Sequence, residues 1–421
     1  LSIGDNCPCC DEANSVGRLG RDEPKRIVRL VGRPLISGTV TTVEKLRCNL
    51  CQKRFEAEIP TELSESEKYA PSCSSNIALS RYYMGVPLHR LELWQYMSKI
   101  PLPDSTSWDL LKKLYAKINP IAKALYRLSA ESTLTYFDDT PGKILNQTPL
   151  KNGRKGVYTT ALASLVDKNL IYLFITSNRY AGENLKKILD ERTTAQPLIT
   201  MSDASRNNIP KGMDEDLLAR WIFCFCLTHG RRKFFEVYNF FSKECDFVLE
   251  VIGKVYGFDD YCKQNKLSSL ERLNYHQLHS LPLMEALKNW LNNKLLYKET
   301  EPNNGFGKAI KYMLKHWHGL TQFLRNIDAP LDNNLCERAI KVVIRHRRNS
   351  LFYRSDFGAE VGDAFMSIIH TAKQCGADVV DYLNQLQINS EKVASEPEHW
   401  LPWNYQQTIV KLNYEQQKLA A

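Results

Sequence analysis

STLTYFDDTP, residues 132–141, alternates apolar and polar side chains and then runs into two aspartates, a threonine and a proline. The alternation predicts a half-buried strand, with Asp138-Asp139-Thr140-Pro141 marking its end. Outward from it, 156–166 and 170–177 read as two more apolar strands joined by Asp167-Lys168-Asn169. Residues 184–192 look helical, and PLITMS at 197–202 is a fourth strand that also ends in an acid, Asp203. A short helix over 214–221 and a buried strand over 222–227 (IFCFCL) follow. The order is β-β-β-α-β-α-β, which makes a mixed sheet covered by helices.

That order fits the ribonuclease H arrangement, in which the first and fourth strands are parallel neighbours. Asp138 and Asp203 would then emerge side by side at one end of the sheet. Two adjacent carboxylates need a metal ion or a shared proton. A third acid is expected from DNNLCERAIKVVIRHRRNSLFYR, residues 332–354. Asp332, Asn333 and Asn334 are N-cap residues, and Cys336, Ala339, Ile340, Val343 and Ile344 form an apolar stripe at helical spacing. The opposite face carries Glu337 followed by Lys341, Arg345 and Arg348. Alone, this is best read as a surface helix with an acid in its first turn. With Asp138 and Asp203, Glu337 becomes the third ligand of a two-Mg²⁺ site, and the cations become contacts for a phosphate backbone.

The remaining chain divides around this core. Residues 1–60 hold Cys7-Pro-Cys9-Cys10 and Cys48-Asn-Leu-Cys51, with a β-branched stretch between them at 26–47. Two C-x-x-C pairs suit a zinc ribbon with a tetrahedral Zn²⁺ on Cys7, Cys10, Cys48 and Cys51. A redox pair or a chance pairing are the alternatives, and Cys9 competes for a place in the first pair. Residues 61–130 read as helices at 74–84, 88–98 and 105–128, the last with Ser105 and Thr106 as caps. They make either a helix-turn-helix or a helical spacer. The catalytic region spans 131–386 and contains an all-helical insertion at about 231–325, with helical markers at 234–241, 247–255, 281–296 and 308–324. His229 reads as structural, and Arg231, Arg232 and Lys233 as a solvated cluster or a DNA contact beside the acids. A tail, 387–421, opens on residues packed through Trp400 and Trp403.

Composition narrows the classes. With 43% apolar and 24% charged residues, the 421-residue chain has the balance of a soluble protein with large cores. No run of about 18 apolar residues suggests a membrane span. The start lacks a signal-peptide pattern and opens on Leu1, leaving room for upstream residues. Lys and Arg exceed Asp and Glu by 56 to 47, which favours a polyanionic partner. Of twelve cysteines, those outside the two pairs lie singly in apolar surroundings, as reduced thiols of a cytoplasmic protein do.

The chain resembles the insertion-sequence 66 group of bacterial DDE transposases. The resemblance rests on the double C-x-x-C, Pro87-Leu-His-Arg90, Asp138-Asp-Thr-Pro141, Thr228-His-Gly-Arg231-Arg232-Lys233-Phe234, Asp332-Asn-Asn-x-x-Glu337-Arg338, Arg348-Asn-Ser-Leu-Phe352, Ser355-Asp-x-Gly358 and Leu401-Pro-Trp403. The family usually reads Asp-Glu-Thr at the first acid and Gly after the second, where this chain has Asp139 and Ala204. The resemblance implies a DNA transposase with Asp138, Asp203 and Glu337 as catalytic Mg²⁺ (or Mn²⁺) ligands, cutting element ends and joining them to target DNA. It also implies DNA contacts from Lys341, Arg345, Arg348, Arg231 and Arg232, a homo-oligomer on DNA, and accessory proteins of the same element. Rival readings are a structure-selective nuclease and a zinc-dependent DNA-binding relic without catalysis. A zinc hydrolase of small molecules would need His-rich spacing that the chain lacks.

Overall fold

The computed structural model describes residues 35–59, 67–147, 153–210 and 212–420. Its strands in chain order are β1 (Lys45–Arg47), β2 (Arg54–Glu56), β3 (Leu134–Gly142), β4 (Ile144–Asn146), β5 (Val157–Val166), β6 (Asn169–Ser177), β7 (Leu198–Ser202), β8 (Trp221–Phe225) and β9 (Tyr353–Ser355). The central sheet runs β6-β5-β3-β7-β8, so the molecule is a mixed α/β protein. The meander and the parallel pair both follow the order anticipated from the alternation. β3 lies antiparallel to β5 along its whole length and parallel to β7 from Leu134↔Ile199 to Tyr136↔Met201.

Several local expectations shift. β3 does not stop at Asp138. It continues to Gly142, because β5 offers pairing partners as far as Val157. Only the parallel pairing ends early, and Pro141 sits beyond it, where β7 no longer needs its missing N–H. The turn between β5 and β6 is tighter than anticipated, with Asp167 at φ 53° and Asn169 already in β6. The helix expected at 184–192 is Ala181–Leu189, opened by a capping box in which Glu183 reaches back to the Tyr180 N–H. The helix expected over 214–221 is only Glu215–Ala219, and Trp221 starts β8. Residues 236–241, anticipated as helix, form turns after a helix ending at Phe235.

Two hydrophobic cores flank the sheet. One joins Leu162 and Phe174 of the antiparallel strands to three sets of helices. The Asp104–Ala130 helix contributes Leu111, Leu114, Ile118, Ile121 and Leu125, a helical-period stripe at most 1% exposed. Each such side chain contributes about 1.5–3 kcal/mol by burial. The Asp356–Gln374 helix adds Phe365 and Ile368, and the Glu337 helix, Asn334–Ser350, adds Cys336, Ile340 and Val343. The helices between Pro71 and Ala130 thus share a core with the sheet, and the long third helix keeps one face open along its length, through Asp109, Lys113, Lys117, Lys123 and Arg127. That helix starts on Asp104 with Pro103 as its N-cap and no side-chain cap from Ser105 or Thr106. The C-terminal tail closes the same core. Trp400 and Tyr405 are buried, and the Tyr382 hydroxyl donates to the Trp400 carbonyl at 2.8 Å.

The second core packs the helical insertion on Leu134, Ile199, Met201 and Cys224. Its long helices, Ser242–Gln264 and Ser269–Leu296, are clipped together by buried Asp259. Arg272 approaches that carboxylate at 2.7 Å, Lys263 at 2.6 Å and His276 at 3.2 Å. Arg272 also donates to the Ala329 carbonyl, which anchors the end of the insertion. Among the described residues, no helix is long and apolar enough to cross a membrane.

Candidate active site

Each acid reaches the site from a different chain segment. Asp138 lies two residues past Tyr136, and Asp203 two residues past Met201. Tyr136 and Met201 are the last parallel partners, so the two acids leave adjacent strands in register. Asp138 is half-buried, and its Oδ1 accepts the Asp139 N–H at 2.8 Å. Burial pushes its carboxyl up to about 7 against that hydrogen bond, and the charges of Asp203, Asp139 and Glu337 push the same way. Asp139, on the other side of the strand, accepts the Ala181 N–H at 3.3 Å and so caps the helix after β6. Burial and the Asp203 charge push its carboxyl up as well, against that hydrogen bond.

Asp203 is held by its own turn. Its Oδ1 accepts the Ser205 N–H at 3.1 Å and the Asn208 side-chain amide. Ala204, where the resembled family has Gly, is not among the residues with positive φ, so this turn does not require glycine. The close approach is instead at Gly182, where a Cβ would meet the Asn207 carbonyl oxygen at 2.8 Å. The turn that positions Asp203 therefore rests on the start of the Ala181–Leu189 helix.

Glu337 is carried to the sheet by two anchors. Asn333 does not cap the helix with its side chain. It donates Nδ2 to the Phe137 carbonyl at 3.0 Å, beside Asp138 and 196 positions away in sequence. Asp332 takes over the first turn, accepting the Asn334 N–H at 3.0 Å. Towards the other end, Arg347 donates to Thr140 Oγ1 at 3.1 Å and to the Pro141 carbonyl. The expected buried stripe is present, with Cys336 Sγ donating to the Ala161 carbonyl at 3.2 Å.

The cations divide. Lys341, Arg345 and Arg348 are exposed, as are Arg231 and Arg232 on the Leu227–Phe235 helix. Arg345, with Lys373, holds the buried His370 imidazole down to about 4, behind the larger effect of its burial. It therefore lies towards His370, where Arg338 and Lys373 line a cleft of about 340 Å³.

His229, read from the sequence as structural, stands 3.7 Å from Glu337 Oε1 through its Nδ1, and Cys226 completes the group. Cys226-x-x-His229 at the mouth of a strand was the available signal. A three-residue spacing on a helix start puts both donors on one side.

At the N-terminus, Cys48 and Cys51 sit on a tight knuckle between β1 and β2. Cys51 N–H points at Cys48 Sγ from 3.5 Å, and this and neighbouring amides lower the Cys48 thiol from its ordinary range. The hairpin brackets the second cysteine pair instead of filling the interval between pairs, and residues 35–44 carry no strand. Cys7, Cys9 and Cys10 lie outside the described residues.

Fold and site together define a mixed α/β protein that gathers carboxylates at the ends of parallel strands, next to a cation-rich helix. The chain matches the Transposase IS66 family over residues 67–361 and belongs to that family. Membership implies a DNA-processing enzyme, DNA as a partner and a divalent-metal requirement. It is 25% identical over 95% of its length to the uncharacterized protein y4hP of Sinorhizobium fredii (strain NBRC 101917 / NGR234), spanning 73% of that protein. Over 43% of its length it is 33% identical to y4jD of the same strain and 28% to y4qI, spanning 35% and 33% of them.

Proposed function

We propose that this chain is a DNA transposase that cuts insertion-sequence ends and transfers them to target DNA on a ribonuclease H-like core. One observation carries the reading. Asp138, Asp203 and Glu337 come from distant segments, yet the charges of the other two act on the Asp138 carboxyl. A half-buried carboxylate pushed up to about 7 among other acids lacks a counter-cation, and oxygen donors of this kind suit Mg²⁺ or Mn²⁺. Asp138, Asp203 and Glu337 would hold the ions, which when bound supply an activated water or DNA 3′-hydroxyl and stabilise the leaving oxygen. Asp139 and Asn333 do not ligate. They fix the helix starts that aim the ligands. Lys341, Arg345, Arg348, Arg231 and Arg232 grip phosphates near the cut, with Arg348 the farthest of the helix cations from Glu337, which positions DNA without reading its sequence.

Recognition of the element's terminal repeats falls in this reading to the N-terminal module, with Zn²⁺ on Cys7, Cys10, Cys48 and Cys51, and to the helical module that follows it, with the open face of its third helix. The protein works in the cytoplasm as a homo-oligomer on DNA, with accessory proteins of its element. The test is a Mg²⁺-dependent cleavage and joining assay on the element's own ends. Glu337→Gln should abolish both steps and leave DNA affinity equal or higher, because one charge repelling phosphate is gone. Cutting without joining in the parent chain would favour the structure-selective nuclease, and binding without either step the non-catalytic relic.

A further inference from the structure

The Cys226–His229–Glu337 group is unused by the chemistry above, except that Glu337 belongs to both. Cys226 is the N-cap residue of the Leu227–Phe235 helix and His229 its third residue, tied back by His229 N–H to the Cys226 carbonyl at 3.2 Å. Glu337 sits one turn into its own helix, its N–H bonded to the Asn333 carbonyl at 3.0 Å, while Asn333 N–H donates to Cys226 Sγ at 3.3 Å. One residue thus fixes the thiol relative to the carboxylate, although they belong to segments 107 positions apart. The donor atoms of all three residues lie within 4.8 Å of one another. Two of them, His229 Nδ1 and Glu337 Oε1, are buried atoms without a hydrogen-bond partner. Buried polar atoms left unpaired are costly, so a ligand that satisfies both is favoured.

We propose that Cys226, His229 and Glu337 form a binding site for a borderline divalent cation of the Zn²⁺ class, separate in chemistry from the all-carboxylate set. Sulfur, imidazole nitrogen and carboxylate oxygen together select Zn²⁺ or Co²⁺ over Mg²⁺. In a tetrahedral zinc site, bonds of about 2.0–2.3 Å place donors roughly 3.3–3.7 Å apart, and the His229–Glu337 separation is already 3.7 Å. The charges match as well. A thiolate and a carboxylate neutralise the ion, and the ion displaces the proton that burial otherwise keeps on the Cys226 thiol. Binding releases the Cys226 proton to solvent. His229 and Glu337, 22% and 26% exposed, leave a path to solvent and a fourth coordination position. An ion here takes Glu337 away from the Asp138–Asp203 pair, so the site acts as a brake on whatever chemistry those acids perform. This consequence, though not the site itself, rests on the function proposed above.

The test is metal binding by the full chain, with Zn²⁺ counted after dialysis and Co²⁺ followed by its thiolate charge-transfer band. His229→Ala and Glu337→Gln, both at partly exposed positions, should each lose one equivalent and part of the band, and Cys226→Ser should do the same. Unchanged stoichiometry and band in His229→Ala and Glu337→Gln would overturn the site, whatever Cys226→Ser does to folding. Asp138→Asn separates the two proposals. It should leave the band intact while removing Mg²⁺-dependent cleavage. Retained cleavage in that variant would overturn the catalytic reading alone.

Discussion

At the scale of single residues, Asp138 combines a function with a structural cost. Its folded pKa is raised from 3.8 to about 7, so the folded state prefers the neutral acid. The sign follows from linkage. The carboxyl costs nothing well below pH 4, its ionisation becomes progressively unfavourable between about pH 4 and 7, and the full penalty persists above. Asp138→Asn should therefore raise metal-free stability at pH 8 by on the order of 1–2 kcal/mol and change little at pH 4. Denaturant unfolding in EDTA at the two pH values checks this, and adding Mg²⁺ should stabilise the parent but not the variant. A variant less stable than its parent at pH 8 would mean that Asp138 is not repelled in the folded protein. Asp139, one position along, is pushed up the same way, by burial and by the Asp203 charge, against its hydrogen bond from the Ala181 N–H.

At the scale of elements, the Asp203 turn and the Ala181–Leu189 helix form one unit. Gly182→Ala would place a methyl 2.8 Å from the Asn207 carbonyl oxygen and 3.0 Å from the Asn208 carbonyl carbon, both backbone atoms that cannot swing aside. The turn must move, at a cost of about 1–3 kcal/mol. The expected outcome is a loss of Mg²⁺-dependent cleavage of tenfold or more, with melting only a few degrees lower. Asp259 predicts the opposite pattern. Burial alone would raise its pKa, but His276, Arg272 and Lys263 override this and hold it well below the carboxylate range. Asp259→Ala leaves Arg272 and Lys263 without their carboxylate and His276 without its hydrogen-bond partner, and should cost about 3–5 kcal/mol, read as a lower denaturant midpoint. The sequence showed the strands and the Glu337 helix because burial on one face writes a period into the residues. It did not show that β3 outruns its parallel neighbour, since the partner that extends it lies on the other edge. Asn333 was legible as a cap by type, yet its actual partner is a carbonyl 196 positions away, and no local pattern encodes that. His229 had a local signal in its spacing from Cys226, but its approach to Glu337 comes from a distant segment that no local pattern encodes.

At the scale of the whole molecule, the large cores and the N-terminal hairpin are held differently. The hairpin's strands, three residues each, are exposed throughout and bury no apolar side chain, so a metal is the natural source of their stability. Cys48→Ser should therefore release one Zn²⁺ and weaken DNA binding, while the melting of the main body stays within about one degree. Metal analysis and calorimetry on the full chain check both. Unchanged zinc content would remove Cys48 from any metal site. The net charge of +9 adds a second observable. If Lys341 grips a phosphate as proposed, Lys341→Ala should flatten the dependence of log affinity on log salt by about 0.9.

The joint between Cys226-Leu227 and Leu331–Asn333 has a historical consequence. Leu227 N–H donates to the Leu331 carbonyl at 2.9 Å, and Asn333 N–H to Cys226 Sγ, so the chain leaves the sheet and returns to it at one point. Everything between is a closed excursion whose length does not affect the spacing of the three acids. A descendant gene can lengthen, trim or replace the helices from Ser242 onward by a single in-frame exchange, provided that the inner wall of the second core is still covered and the Leu227–Phe235 helix, with His229, Arg231 and Arg232, stays in place. The doorway and its first helix, and not the room behind them, are what inheritance must keep.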